Sequence, residues 1–291
     1  MNIVNILEEI EKVDGDIYER ISPRRKAMKE FFGLGSKVAA AAMPFALGSM
    51  FNKAYGQATP QAVIDVLQYA LTLEHFEYNF YLQGNAATTL AIPAGDQRNA
   101  IIMIRDSEKK HVDYLSTVIR TINNTTPVSQ KTVYDFTAMG TFPTVFTDYA
   151  IFLAVAQVLE DTGVRAYKGQ AAALMGNQVV LTAALGIHAV EARHAAKIRY
   201  MRRLNGVAAI KPWITSTATV SNDTGIAAVN NNYAGATPEN TVVQATVNIA
   251  GFKLEGVAGS PNISFSAAAE AFDEPLTKAE VLALVAPFGV S

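Results

Sequence analysis

Along most of the chain apolar residues recur three or four positions apart, and the places where that spacing fails divide it into elements. Four long helical segments lie between about residues 59 and 205. The first covers residues 59–82 and is rich in Leu, Ala, Tyr and Phe. Residues 84–95 read as a connection, and residues 97–122 as the second helix. The polar stretch 123–147 contains Pro127, Gly140 and Pro143, so it cannot be one helix and reads as a long crossover. The third helix covers residues 148–174, Gly176-Asn177 makes a tight turn, and the fourth covers 178–204 and stops at Asn205-Gly206. Residues 150–159 and 179–189 are apolar nearly all round, as interior helices are. Two helices, one long crossover and two more helices make an all-α four-helix bundle.

The flanks have a different pattern. Residues 2–21 read as an acidic amphipathic helix with Ile3, Ile6, Leu7, Ile10 and Val13 on one face. Arg24-Arg25 follows, then a mildly apolar run at 38–51, too short to span a bilayer, that ends at Ala54-Tyr55-Gly56. Two readings fit residues 1–58. One is a twin-arginine-type export signal, which places the protein in the periplasm or outside the cell. The other is a helical arm that stays on a cytoplasmic protein. Residues 206–291 form a Thr/Asn-rich, irregular extension, with a short hairpin expected within 242–254. Thr277-Lys278-Ala279-Glu280 is a capping box that opens a final helix, whose apolar face should dock on the bundle.

Composition narrows the chemistry. The chain has 291 residues, 50% apolar and 17% charged, which excludes a disordered chain and predicts a large core. A formal net charge of -2 gives no electrostatic reason to expect nucleic acid, and no stable membrane span is expected. There are no cysteines, so disulfides, thiolate catalysis and iron–sulfur or rubredoxin-type sites are excluded. A metal here must be held by His, Asp or Glu. The four histidines are His75, His111, His188 and His194.

Two of them fall in Glu-x-x-His motifs, Glu108 with His111 and Glu191 with His194, one in the second helix and one in the fourth. At i, i+3 both side chains leave the same helix face, so one ion can touch both. The other two helices supply Glu74 and Glu160, each followed seven residues later by a tyrosine, Tyr81 and Tyr167. The chain thus repeats itself after about 85 residues. Glu160 and Glu191 each stand about 15 residues, or about 22 Å of helix, from the turn at Gly176, so antiparallel packing sets them side by side. Glu74 and Glu108 straddle the first connection in the same way. Four carboxylates at one level of a core would be very unfavourable without cations, and two divalent ions would neutralise them. Oxygen-rich sites with one imidazole per metal suit iron or manganese.

This pattern resembles the ferritin-like di-metal carboxylate superfamily, and more narrowly the ferritin-like domain family that includes desiccation-related proteins. Leu73-Glu74-His75-Phe76-Glu77-Tyr78-Asn79-Phe80-Tyr81 is similar to that family's first helix, and Glu270-Ala271-Phe272-Asp273-Glu274-Pro275-Leu276 to its C-terminal segment. The resemblance spans about residues 59–291 and implies a ferritin-like bundle over 59–205. By it Glu74, Glu108, His111, Glu160, Glu191 and His194 map to metal ligands, with Glu108 and Glu191 as bridges. Glu77 rivals Glu74 as the first-helix ligand; Glu74 is preferred because Tyr81 repeats the Glu160–Tyr167 spacing, which leaves Glu77 as a supporting group or extra ligand. Tyr81 and Tyr167 either hydrogen-bond carboxylates across the bundle or are ordinary core tyrosines. His188 either supports the site or is a structural histidine. His75 points elsewhere, and Trp213 reads as a packing anchor past the fourth helix.

Three functions fit. The first is a di-metal oxidoreductase acting on oxygen or peroxide, catalase-like or peroxidase-like, the latter with an outside electron donor because cysteine is absent. The second is iron oxidation and storage, which needs a homo-oligomeric shell. The third is a structural or stress-protective protein with a vestigial metal site.

Overall fold

The computed structural model describes residues 61–207, 210–216, 230, 233, 241, 243–244, 247–251 and 262–290. All of them fall in the unit Tyr55–Ser291. The expected N-terminal helix, twin arginine and apolar run lie outside the described residues, as does most of 217–261.

Four long helices form the bundle: α1 Gln61–Ala86, α2 Asp96–Thr121, α3 Tyr149–Gln170 and α4 Gln178–Leu204. The α1–α2 and α3–α4 pairs each pack along their length. Arg98 at the start of α2 reaches the Asn85 carbonyl at the end of α1, which makes that pair antiparallel. Tyr149 at the start of α3 donates its hydroxyl hydrogen to Gln97 near the start of α2 (3.0 Å), so α2 and α3 run parallel, as a long crossover requires. The fold is an all-α four-helix bundle with its long crossover between α2 and α3.

The helix ends follow from side-chain chemistry. The Asp148 carboxylate accepts from the backbone N–H groups of Ala150 and Ile151, and the Asn177 side chain accepts from that of Val180, so both α3 and α4 begin on capped turns. Such caps are worth about 1 kcal/mol each. The last turn expected of the third helix tightens into a 3-10 turn at Ala171–Leu174. α1 runs past the expected break at Gly84. A Cβ there would lie 2.3 Å from Phe152 Cε2, so this glycine admits the Phe152 ring of α3 and does not end a helix.

The crossover contributes more to the core than its polar composition suggests. Tyr134, Phe136 and Val145 are buried, and Phe136 stacks on Phe76 with ring centroids 5.4 Å apart. Phe80 stacks on Phe152 at 4.9 Å, continuing the aromatic cluster across α1 and α3. The Asp135 carboxylate ties the turn that follows by accepting from Thr137 and from the Met139 backbone N–H.

Beyond α4 the chain returns to the bundle. The capping box at Thr277 and Glu280 opens α6, Lys278–Val285, which buries Val281 and Val285 and packs on α3. The segment just before it lies so close to α3 that a Cβ on Gly169 would fall 1.8 Å from the Leu276 carbonyl oxygen. There Leu276 N–H donates to Arg165 O (3.1 Å), and Arg165 Nε donates to Glu274 O (2.9 Å). A five-residue helix α5, Phe265–Ala269, and a minimal antiparallel pair, β1 Val243–Gln244 with β2 Val247–Asn248, complete the described extension. The pair falls inside the span expected to form a hairpin. Among the described residues no helix is long and apolar enough to cross a membrane.

Candidate metal centre

Midway along the bundle each helix turns acid inward. Glu74 comes from α1, Glu108 and His111 from α2, Glu160 from α3, and Glu191 and His194 from α4. All four glutamates are 0% exposed, whereas the His111 and His194 side chains keep 10% and 11% exposure. The imidazoles are therefore the members of the group that solvent reaches.

The contacts have a definite topology. His111 Nδ1 lies 3.1 Å from Glu74 Oε2, 2.9 Å from Glu108 Oε2 and 3.1 Å from Glu191 Oε1. His194 Nδ1 lies 2.7 Å from Glu108 Oε1, 3.2 Å from Glu160 Oε2 and 3.6 Å from Glu191 Oε2. Glu108 and Glu191 thus present one oxygen to each imidazole, while Glu74 faces only His111 and Glu160 only His194. Two sets of four result, Glu74–Glu108–His111–Glu191 and Glu108–Glu160–Glu191–His194. Within each set the donor atoms lie within 4.8 Å of one another. The imidazole rings face each other with centroids 6.2 Å apart.

The tyrosines cross over. Tyr81 of α1 donates its hydroxyl hydrogen to Glu160 Oε1 of α3, and Tyr167 of α3 donates to Glu74 Oε1 of α1. Each bond fixes one oxygen of a terminal carboxylate and leaves the other facing the cluster. Burial, and then the adjacent glutamate, push both phenols well above their ordinary range, so they remain donors.

Without cations the electrostatics are strained. Burial raises Glu74 to about 8 and Glu160 well above a normal carboxyl, with His111 and His194 respectively pulling the other way. Burial alone would lower both imidazoles. Attraction to the carboxylates outweighs it, led by Glu74 for His111 and Glu160 for His194, and both are raised. Burial would likewise raise Glu191, but the two imidazoles that face it hold it below the ordinary range.

Fit to a metal can be read from atoms left without partners. Glu108 Oε1, Glu160 Oε2, both oxygens of Glu191 and His194 Nδ1 are buried, and none makes a hydrogen bond. The short distances to His194 Nδ1 therefore lie outside hydrogen-bond geometry, and they leave these carboxylate oxygens crowded together without a bond that satisfies them. Orphaned buried acceptors are costly, and so many around one point is the arrangement a cation satisfies. All six residues mapped to ligands from the sequence meet here.

Other expectations fall differently. Glu77 is buried one turn after Glu74, and a Cβ on Gly163 would lie 3.1 Å from its Oε1, so the glycine on α3 makes room for the acid on α1. It belongs to neither set of four; burial and then the surrounding glutamates raise it well above the usual carboxyl range. His188 does not join the site. Its Nδ1–H donates to Val164 O (3.0 Å), a backbone tie between α4 and α3. His75 reaches Val128 O of the crossover (3.3 Å), away from the cluster. Trp213 is no buried anchor: it is 50% exposed, and its Nε1–H donates to Glu270 (2.9 Å).

A second buried polar network was not anticipated. Arg199 Nη2 donates to Asp161 Oδ2 (2.5 Å), Tyr233 donates to the same oxygen, and Arg202 donates to Gln157 (2.7 Å). A signal was present: Asp161 and Gln157 interrupt an apolar stretch, one helical turn apart.

Residues 62–203 match the family model of the ferritin-like domain. No curated protein and no solved structure matches the chain.

Proposed function

From the premise that the bundle is a ferritin-like domain, we propose that this protein binds two divalent metal ions, iron or manganese, and uses them in redox chemistry on oxygen or peroxide. The observation that carries this reading is the sharing of Glu108 and Glu191 between the two imidazoles. Glu74, Glu108, His111 and Glu191 would hold one ion; Glu108, Glu160, Glu191 and His194 the other. An oxygen-rich set with one imidazole per ion favours iron or manganese over softer metals. Such a pair would supply the electrons that cleave an O–O bond.

The chain's own residues set the conditions. Tyr81 and Tyr167 hold the terminal carboxylates in one orientation by donating to their outer oxygens. The aromatic and aliphatic core around the four glutamates excludes water and strengthens each charge interaction. Glu77, buried one turn after Glu74 and outside both sets of four, would serve as a proton holder at the margin of the site. With no cysteine there is no internal thiolate relay, so a peroxidase-like cycle draws on an outside donor and a catalase-like cycle needs none.

Elemental analysis of protein from its native host, with peroxide and oxygen consumption measured on the same sample, tests this. Two iron or manganese ions per chain with turnover of either oxidant is expected. A folded protein that holds no redox metal would overturn it. The twin-arginine pattern further supports export. A mature chain beginning near Gln57 is expected by mass spectrometry, and an intact Met1 contradicts it.

A further inference from the structure

Outside the bundle, where the segments around 213 and 272 pass over the α3–α4 seam, there is a cleft of about 160 Å³. Arg199, Asp161, Val164, Trp213, Phe272 and Asp273 are among the residues that line it. It is separate from the six-residue cluster, which faces the inside of the bundle.

Three features are not explained by packing. First, the guanidinium of Arg199 is 3% exposed and offers five N–H donors, yet among the described residues its one hydrogen bond is to Asp161. A guanidinium that has donors to spare beside a cleft can take a further acceptor. Second, the Asp273 carboxylate has no hydrogen-bond partner among the described residues, although its backbone carbonyl accepts from Lys168. Third, two large aromatics that the core does not need, Trp213 at 50% and Phe272 at 38% exposure, border this one cleft. Trp213 is held in place by its bond to Glu270 and by Lys211 Nζ, 5.7 Å from its ring centroid.

Size and charge narrow the occupant. A cavity of about 150 Å³ accepts one benzene, so this cleft holds a single small ring. Aromatic walls favour a planar one. The cleft is lined by three carboxylates, Asp161, Glu270 and Asp273, against one guanidinium, with Lys211 beside it. That balance opposes an anion. A hydroxyl satisfies both groups at once, since its oxygen accepts from Arg199 and its hydrogen is donated to Asp273. We propose that this cleft is a binding site for a small, neutral, hydroxyl-bearing aromatic molecule, with Arg199 and Asp273 reading the hydroxyl and Trp213 and Phe272 flanking the ring. The site does not depend on the metal centre or its chemistry.

The chain has a single tryptophan, so its emission reports on this cleft alone. Full-length protein titrated with phenol, excited at the red edge where phenol does not absorb, should show a saturable change in Trp213 emission. Benzoate should bind about tenfold more weakly. Phe272→Ala should weaken phenol about three- to tenfold, the range of an aromatic contact. Asp273→Ala should weaken it about tenfold, as loss of a hydrogen bond to a charged group does. Both residues lie outside the buried core, and unchanged melting curves verify that the variants fold. Quenching that never saturates, that is equal in the variants, or that is stronger for benzoate would overturn the proposal.

Discussion

Glu160 and Asp161 are consecutive on α3 and both buried, yet their surroundings are of opposite kinds. Asp161 faces the outer seam, where Arg199 and Tyr233 both donate to it. One acid meets one base and one hydroxyl, and in charge the network is closed. Glu160 faces inward, toward Glu108, Glu191 and His194, where one of its oxygens has a tyrosine and the other has no hydrogen bond. A network closed in charge is neutral as folded. An open one, with acids in excess of bases and several lone pairs unmet, is complete only with cations. Burial is the same in both places; the difference is whether the chain itself supplies the positive charge.

The largest contrast should come from the shared carboxylates. Glu108→Ala or Glu191→Ala removes a donor from both sets and should cost both ions, whereas Glu74→Ala or Glu160→Ala should cost one. Metal content by mass spectrometry after reconstitution separates the two classes. Equal losses in all four variants would contradict the sharing. Without metal these variants should be no less stable than the parent, since each removes a buried, poorly paired acid.

On the closed side the expectation reverses. Asp161→Ala leaves Arg199 buried without its counter-ion and should destabilise by about 3–5 kcal/mol, with metal content unchanged in the folded fraction. Chemical denaturation measures it.

pH should distinguish the metal-free protein from the loaded one. Glu74 is raised from 4.5 to about 8 when no ion is present, so its contribution to stability is complete below pH 4.5 and is lost as pH rises toward 8. The raised imidazoles add to the fall above pH 6.5, where they keep their protons and the histidines of the unfolded chain lose theirs. Thermal unfolding of metal-free protein should therefore fall by several degrees between pH 5 and 8, at about 2–4 °C per kcal/mol. Loaded protein should hold steady, and its affinity for metal should rise with pH, because the ligands must shed protons to bind. A constant gap between the two forms would count against the unmet carboxylates.

The smallest effect belongs to the crossing tyrosines. Tyr81→Phe or Tyr167→Phe should lower metal affinity about tenfold while leaving two ions bound at saturation, the usual cost of losing a bond that orients a ligand. Competition with a chelator reads this directly.

Much of the arrangement was legible in the sequence because it is local and periodic. Glu108 with His111 and Glu191 with His194 each lie on one face of one helix, and the matched seven-residue steps to Tyr81 and Tyr167 fix heights. Those relations need only helix geometry. What the sequence concealed depends on contacts between distant segments. Gly84 reads as a helix break until Phe152 is seen against it. The crossover reads as polar, though Tyr134 and Phe136 enter the core from it. Asp161 finds Tyr233 some 72 residues away, in a stretch with no periodicity to place it. His188 looks like part of the site by spacing, one turn before Glu191, but its ring turns to a backbone carbonyl on the neighbouring helix.

The central claim is that two ions share Glu108 and Glu191. Anomalous diffraction from crystals of metal-loaded protein, collected on both sides of the iron or manganese edge, tests it most directly. The account predicts two peaks, one among Glu74, Glu108, His111 and Glu191 and the other among Glu108, Glu160, Glu191 and His194. A single peak, or ions bound elsewhere with the six side chains left bare, would contradict it.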